Sequence, residues 1–428
     1  MAASGQEINQ NKSRFYCGKG VKHDSIPKIE DRLGMKHGAL PFKYLGAPIC
    51  KGKLKRRDCG MVTEHFRKYI ESWYSKTLNP MGRLILIKHV LSSIPLHLIA
   101  VHILPKSVIN TLHSMMSNYL WGVDNNKPRY HWKNWKDLCT PTTEGGLGIR
   151  DLKDLQQAYS IKLWWNFRFS DSLWARFMRH KYSTENFQEK VIDSPVRKRI
   201  CRIHGIAEEL LGDIAPDLED DPTYIPLKEA YECCRNSGVI SLRDKLNWSN
   251  LQIPKVRFFL WKITNEILPF PENLIRFQVH MSSQCPFCKK NEANMNHCLL
   301  QCDEIKNIWS FYATILDGPR LREEISLNQY LMEWQLRSQA NTIKGNLRNI
   351  LPGVIAWCTW KQYAATAFGN EAANLFSITM DIKAMINSWC WKYRKKAWMI
   401  RDETLTAQGL QLCLNMARRN QNANEDGD

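Results

Sequence analysis

Cys285-Pro-Phe-Cys288-Lys-Lys-Asn-Glu-Ala-Asn-Met-Asn-His297-Cys298-Leu-Leu-Gln-Cys302 is the most decisive stretch of this 428-residue chain. Four of its residues stand at C-x2-C-x8-H-x4-C. A Cys-x2-Cys turn aims two thiolates at one ion, and a later His and Cys complete a tetrahedral shell with no open position. The spacing therefore predicts Cys285, Cys288, His297 and Cys302 as ligands of a structural zinc ion, one that stabilises a loop instead of acting as a Lewis acid. Cys298 beside His297 offers an alternative ligand. The plainer reading is that these are small buried thiols in a chain with fourteen Cys.

Just upstream, Leu251-Gln-Ile-Pro-Lys-Val-Arg-Phe-Phe-Leu-Trp261 leads into a helix interrupted near Pro269, with Lys255, Arg257 and Lys262 among aromatics. Such interleaving suits phosphate neutralisation with base stacking, but a core helix with snorkelling lysines has the same look and is the favoured reading. Working further back, Leu84, Ile87, Leu91 and Ile94 keep the helical period until Pro95, which predicts one amphipathic helix from Arg83. Pro105 opens a second, with Val108, Ile109, Leu112, Met116, Tyr119 and Leu120 as its stripe, ending near Gly122. Helical patterns follow from Leu152 to Arg168, Leu173 to Tyr182, Leu347 to Phe368 and Ile378 to Trp398, and residues 421–428 have the composition of a disordered tail. The segment 213–226, with Pro216, Pro222 and Pro226, is read as a linker whose acids Asp217, Glu219, Asp220 and Asp221 are solvated and not metal ligands.

Sixty Lys and Arg against 42 Asp and Glu give a formal charge of +18, a field that draws the protein towards polyanions such as RNA or DNA. The densest basic run is Lys51, Lys53, Lys55, Arg56 and Arg57, and Lys392, Arg394, Lys395 and Lys396 form a second. Either suits phosphates, an import signal or simply a solvated face. Gly145-Gly-Leu-Gly148 lacks the spacing of a phosphate cradle and is read as a turn. The scattered cysteines and polar first residues predict an intracellular protein, in nucleus or cytoplasm. Runs such as Leu96 to Leu104 fall short of the roughly 20 apolar residues of a membrane span, so no membrane association is expected. No local nucleophile, metalloprotease helix or nucleotide loop stands out.

Read in order, several segments resemble the region downstream of the active site in plant LINE-type, non-LTR retrotransposon reverse transcriptases. Ser4-Gly-Gln-Glu-Ile-Asn-Gln-Asn-Lys-Ser13 and Pro41-Phe-Lys-Tyr-Leu-Gly-Ala-Pro-Ile49 look like the end of the family's palm. Trp73, Gly82-Arg83, Ile87-Lys88, Val90-Leu91, Ile94-Pro95 and Tyr119-Leu-Trp121 are similar to its thumb. Trp132, Trp135, Cys139, Pro141 and Gly145-Gly-Leu-Gly-Ile149 continue the match, then Leu173-Trp174 and Lys181-Tyr182. Pro254-Lys-Val-Arg-Phe-Phe-Leu-Trp261 with Cys285, Cys288, His297 and Cys302 resembles its zinc-binding domain.

The resemblance implies a fold that is mainly α with a small α+β N-terminal remnant, then a helical thumb-like region, a small zinc-knuckle domain and C-terminal helices. The expected divisions are 1–58, 59–212, a linker at 213–226, 227–320, 321–420 and the tail 421–428. It adds Arg83 and Lys88 to Lys51, Lys53, Lys55, Arg56, Arg57, Lys255 and Arg257 as candidate nucleic-acid contacts. The family's paired Asp lies upstream of the Ser-Gly-Gln stretch, so no polymerase activity is expected of this chain, and no ribonuclease H activity of its C-terminal part. The expected role is weakly specific RNA or DNA binding; the rival reading is a protein-docking module built on the knuckle and sixteen Trp, or a decayed frame.

Overall fold

A computed structural model describes residues 9–18, 20–44, 47–50, 52–72, 78–124, 127–182, 186–211, 224–338, 342–369 and 371–393. Several expected features lie outside the described residues: Ser4 to Ile8, Leu45 and Gly46, Lys51, Trp73, most of the linker with its four acids, Arg394 to Lys396 and the tail.

The first helices are α1 (Ile26–Leu33), α2 (Gly60–Ser72), α3 (Pro80–His89), α4 (Leu96–Val101), α5 (Lys106–Trp121), α6 (Trp135–Leu138), α7 (Leu152–Phe169) and α8 (Leu173–Lys181). They are followed by α9 (Pro195–Leu211), α10 (Leu227–Cys234), α11 (Leu242–Asn247), α12 (Pro254–Thr264) and α13 (Pro271–Leu274). The last four are α14 (Asp303–Leu316), α15 (Leu327–Leu336), α16 (Ile343–Phe368) and α17 (Leu375–Tyr393). Strands are short and come in pairs: β1 (Arg14–Phe15) is parallel to β2 (Lys36–His37), and β3 (Phe42–Tyr44) is antiparallel to β4 (Ala47–Ile49), with Phe42 opposite Ile49. The protein is thus mainly α with a small α+β piece near its start. It divides into two compact units, Met1–Thr77 with Ile85–Val123 and Ile149–Asn236, and Leu78–Leu84 with Asp124–Gly148 and Ser237–Asp428.

In the first unit α7 is the hub, in contact with α4, α5, α8, α9 and α10. Leu152, Leu155, Ala158, Ile161, Trp164, Trp165 and Phe167 are buried around nearly its whole circumference, the signature of a helix enclosed by others. Its start is fixed by Asp151, whose carboxylate accepts from the Lys153 and Asp154 N–H groups at 2.7 and 3.3 Å. Arg199 of α9 ties three helices together. Its guanidinium donates to Ile99 O and Ala100 O in the last turn of α4, each at 3.1 Å, and to Ser160 Oγ (2.8 Å) and Gln156 O (3.3 Å) of α7.

The helix expected from Arg83 to Ile94 is interrupted. α3 ends at His89, a 3-10 turn covers Leu91–Ser93, and Pro95 leads into α4. The Ser93 hydroxyl donates to Val90 O at 2.7 Å, a local bond that competes with the helical ladder. Within the 22 residues Pro80–Val101 an 18-residue window reaches a mean hydropathy of 1.9, long and apolar enough for a bilayer by composition. In this stretch Leu84, Ile87, Leu91, Leu98 and Ile99 are buried within the protein.

In the second unit α16 holds the central place, with α12, α14, α15 and α17 packed on it. Gly353 admits α12: a Cβ there would stand 2.8 Å from Val256 Cγ1. The Gly145 to Gly148 segment is a turn, with φ of +87° at Gly145 and +65° at Gly148. Its N–H groups are spent internally, Gly146 on Pro141 O, Leu147 on Leu138 O and Gly148 on Thr140 O, so they cradle no phosphate. A Cβ on Gly146 would lie 2.1 Å from the Thr140 carbonyl oxygen, which belongs to the backbone and cannot swing aside. Gly146→Ala is therefore expected to cost about 2 kcal/mol or more, read as a lower midpoint in denaturant titration.

Candidate metal centre

The predicted ligands meet. One donor atom from each of Cys285, Cys288, His297 and Cys302 lies within 4.8 Å of all the others. Cys285 Sγ is 4.0 Å from Cys302 Sγ, and Cys288 Sγ is 3.3 Å from His297 Nε2. A tetrahedral zinc site with bonds of about 2.3 Å to sulfur and about 2.0 Å to nitrogen puts neighbouring donors about 3.6–3.8 Å apart. The four donors fit zinc in number, chemistry and spacing.

Local structure explains how they converge. Gln284 bridges to Glu292 in antiparallel fashion, Cys285 N–H donates to Asn291 O at 2.8 Å, and Lys289 N–H returns to Cys285 O at 3.0 Å. Lys289 turns the chain with φ +55°. This tight hairpin aims the Phe287 and Cys288 N–H groups at Cys285 Sγ, and these bonds favour its thiolate. The second pair of ligands poses a different problem. Residues five apart on an α-helix point roughly 140° away from each other, so His297 and Cys302 could not share an ion. The structure solves it with a π turn, His297–Gln301, closed by Cys302 N–H to His297 O at 2.8 Å. Asn294 Oδ1 starts that turn by accepting from His297 N–H at 2.8 Å. The sequence reading passed over Asn294, although Asn three residues ahead of a helical turn is a cap signal.

Cys298 stands beside the converging set and outside it. Its thiol and that of Cys302 both bond to Cys285, which holds Cys285 well below the usual thiol range and pushes the other two up. A divalent ion would let the ligand thiols ionise together.

The centre is no isolated loop. Cys285, Cys298 and Cys302 are buried in the same core as Leu299, Leu300, Trp309 and the inward faces of α14, α16 and α17. Cys302 also occupies the N-cap position of α14, and Trp309 Nε1 of that helix donates to Leu299 O at 2.9 Å. The expected basic residues are dispersed over both units. Lys53, Lys55, Arg56 and Arg57 are exposed around a 3-10 turn at Arg56–Cys59. Arg83 and Lys88 are half-buried, and burial lowers the Lys88 pKa. α12 is a core helix, with Val256, Phe258, Phe259, Leu260, Trp261 and Ile263 all buried. Arg257 spends its guanidinium on Gln252 O and Asn250 O, whereas Lys255 is exposed above the Trp357 ring.

The largely buried Cys3His shell, joined to a helical core, fits a structural zinc site, and residues 226–309 match the family model described as zinc-binding in reverse transcriptase. The chain is similar to an Arabidopsis thaliana protein provisionally named a ribonuclease H protein, at 34% identity over 76% of this chain and 66% of that one. It is also 31% identical to an uncharacterized mitochondrial protein of Arabidopsis thaliana, over 21% of this chain and 60% of the relative. In each case the chain spans slightly less than two thirds of its relative's length. Residues 226–309 belong to the reverse transcriptase zinc-binding family, and this match together with the plant relatives supports a retroelement-derived protein.

Proposed function

We propose that these residues form a catalytically incomplete reverse transcriptase segment that binds RNA or DNA with weak sequence preference, its second unit held folded by zinc. The observation that carries the binding is the exposed run Lys53, Lys55, Arg56 and Arg57, in a chain of formal charge +18. Phosphate neutralisation by such side chains releases counterions and gives salt-dependent affinity without base readout. Catalytic incompleteness rests on two points. Polymerisation and ribonuclease H cleavage need carboxylates gathered on metal ions, and the 428 residues contain no Tyr/Phe-Ala-Asp-Asp hairpin. Among the described residues, the cluster of three or more metal-ligating side chains is the Cys3His set, whose four protein donors leave a bound zinc no open position. A reducing compartment, nucleus or cytoplasm, suits three ligand thiols.

Filter binding of labelled RNA and DNA across a salt series tests this. Affinity is expected to fall linearly on a log–log plot, and neutralising Lys53, Lys55, Arg56 and Arg57 to Gln is expected to reduce the slope by about 3. Absence of binding to both polymers at low salt would sink the reading, and so would nucleotide incorporation by the purified chain in primer extension with Mg²⁺ or Mn²⁺.

A further inference from the structure

α8 has a face that the core does not use. Over Leu-Trp-Ala-Arg-Phe-Met-Arg-His-Lys, Ala175 and Met178 point inward, and Arg179 turns back to donate to Phe167 O (2.8 Å) and Ser170 O (2.9 Å). At 100° per residue the others sweep one continuous arc in the order Arg176, His180, Leu173, Phe177, Lys181, Trp174. All six are exposed, Leu173 at 79%, Phe177 at 58% and Trp174 at 37%. Lys181 Nζ lies 6.0 Å from the Phe177 ring centroid and 5.5 Å from that of Tyr182. The helix carries no acid. The nearest acid in sequence is Asp171, an exposed carboxylate 3.8 Å from the inward Arg179.

Two large rings exposed on neighbouring turns are costly to leave in water, and a core role does not account for them. Lys181 between the two rings, with Arg176 and His180 further along the arc and no acid among the six, says what covers the face. A protein surface would meet mixed charge, whereas a single strand presents phosphates to the cations and the flat faces of unpaired bases to the rings. Duplex keeps its bases stacked and offers the rings nothing. Resting on the proposed nucleic-acid function, we infer that the α8 face is a stacking platform for single-stranded RNA or DNA, with Trp174 and Phe177 as base-stacking rings and Arg176 and Lys181 as phosphate contacts.

Fluorescence anisotropy of the full chain with labelled oligo-dT and oligo-U of about 16 nucleotides, beside a duplex of equal length, tests the assignment. Replacing Trp174 and Phe177 together by Ala is expected to weaken single-strand binding by about tenfold or more and duplex binding by less than about twofold, with the salt slope unchanged. Trp174→Phe with Phe177→Tyr keeps both rings and is expected to retain single-strand affinity, which separates stacking from a folding defect. Arg176→Gln with Lys181→Gln should weaken both probes and flatten the slope. If the Ala pair binds single strands as well as the parent, or loses both probes equally, the platform assignment fails while general binding stands. Loss of self-association in sedimentation, with single-strand affinity intact, would make the face a protein interface and overturn it too. If the parent chain binds neither probe, the proposed function falls first.

Discussion

Cys285→Ser is expected to abolish stoichiometric zinc and to unlock the core of the second unit, well beyond the hairpin that carries the residue. The geometry supports the larger effect. Cys285 and Cys302 are fully buried, and Cys302 is at once a ligand and the N-cap position from which α14 begins. α14 and the His297–Gln301 turn both pack on α16. Losing the ion leaves thiols that either ionise in an apolar core or forgo their ligand role, so local opening spreads along those contacts. Structural zinc contributes on the order of 10 kcal/mol to its folded domain, comparable to the whole stability of a typical domain. His297→Ala should behave alike. The sign with pH follows from the thiols: Cys302 is raised by its bond to Cys285 and by burial, so closing on zinc releases protons, and affinity should rise with pH. Metal analysis with hydrogen exchange decides the matter. Amides of 254–264, 303–316 and 343–368 should lose protection on chelation, while 106–121 and 152–169 keep theirs. Substantially less than one zinc per chain under reducing conditions, with none gained on titration, would reduce the centre to buried thiols. Loss confined to residues 283–302 would restore the picture of a small isolated knuckle.

That picture came from the sequence, and where it departs from the structure is instructive. Ligand identity was legible because Cys-x2-Cys with a following His and Cys is a local pattern, readable without knowing what surrounds it. The surroundings were not. The core that buries Cys285 and Cys302 includes Ile350, Val354, Ile382 and Trp389, residues far along the chain whose own periodicity reports a helix but not its neighbour. The π turn was hidden for a related reason, since a spacing of five between His297 and Cys302 announces a shared ion without saying how the backbone reaches it. Pro105 marked the start of α5 correctly, whereas Pro95, expected to end the helix from Arg83, instead stands at the N-cap of α4. The break falls at Val90, a turn before Pro95, which has no N–H for the Leu91 carbonyl and crowds it, while the Ser93 hydroxyl and N–H both turn to Val90 O.

Arg199 is the most consequential residue that nothing local in the sequence picks out. It sits in Pro-Val-Arg-Lys-Arg-Ile-Cys-Arg, where it resembles its neighbour Arg202, an exposed partner of Glu189 at 2.6 Å. The fold treats the two differently. Arg199 is 3% exposed, and among the described residues no carboxylate lies within ion-pair distance of it, so burial pushes its pKa down to about 10. A base lowered in the folded state carries its charge at a cost that is fully present below pH 10 and fades as pH rises towards its ordinary value. The charge is held by carbonyl dipoles at the C-terminal turn of α4, where a cation is favoured. Ile99 O and Ala100 O have no following helical turn to receive donors from, so without the guanidinium the buried Ile99 carbonyl becomes an acceptor lacking a partner, whereas the exposed Ala100 can turn to water. Such a group costs about 1–3 kcal/mol. Arg199→Met, which removes the charge but strands that carbonyl and forgoes the bonds to Ser160 and Gln156, is therefore expected to destabilise the first unit by about 2–5 kcal/mol. Arg199→Lys should recover only part of the loss, because one ammonium cannot span the two helices as a planar fork does. Chemical denaturation followed by hydrogen exchange of 152–169 and 195–211 provides the measurement. A Met variant as stable as the parent would mean that relief of the buried charge offsets the lost bonds, and the three-helix clasp would then be a consequence of packing and not its cause.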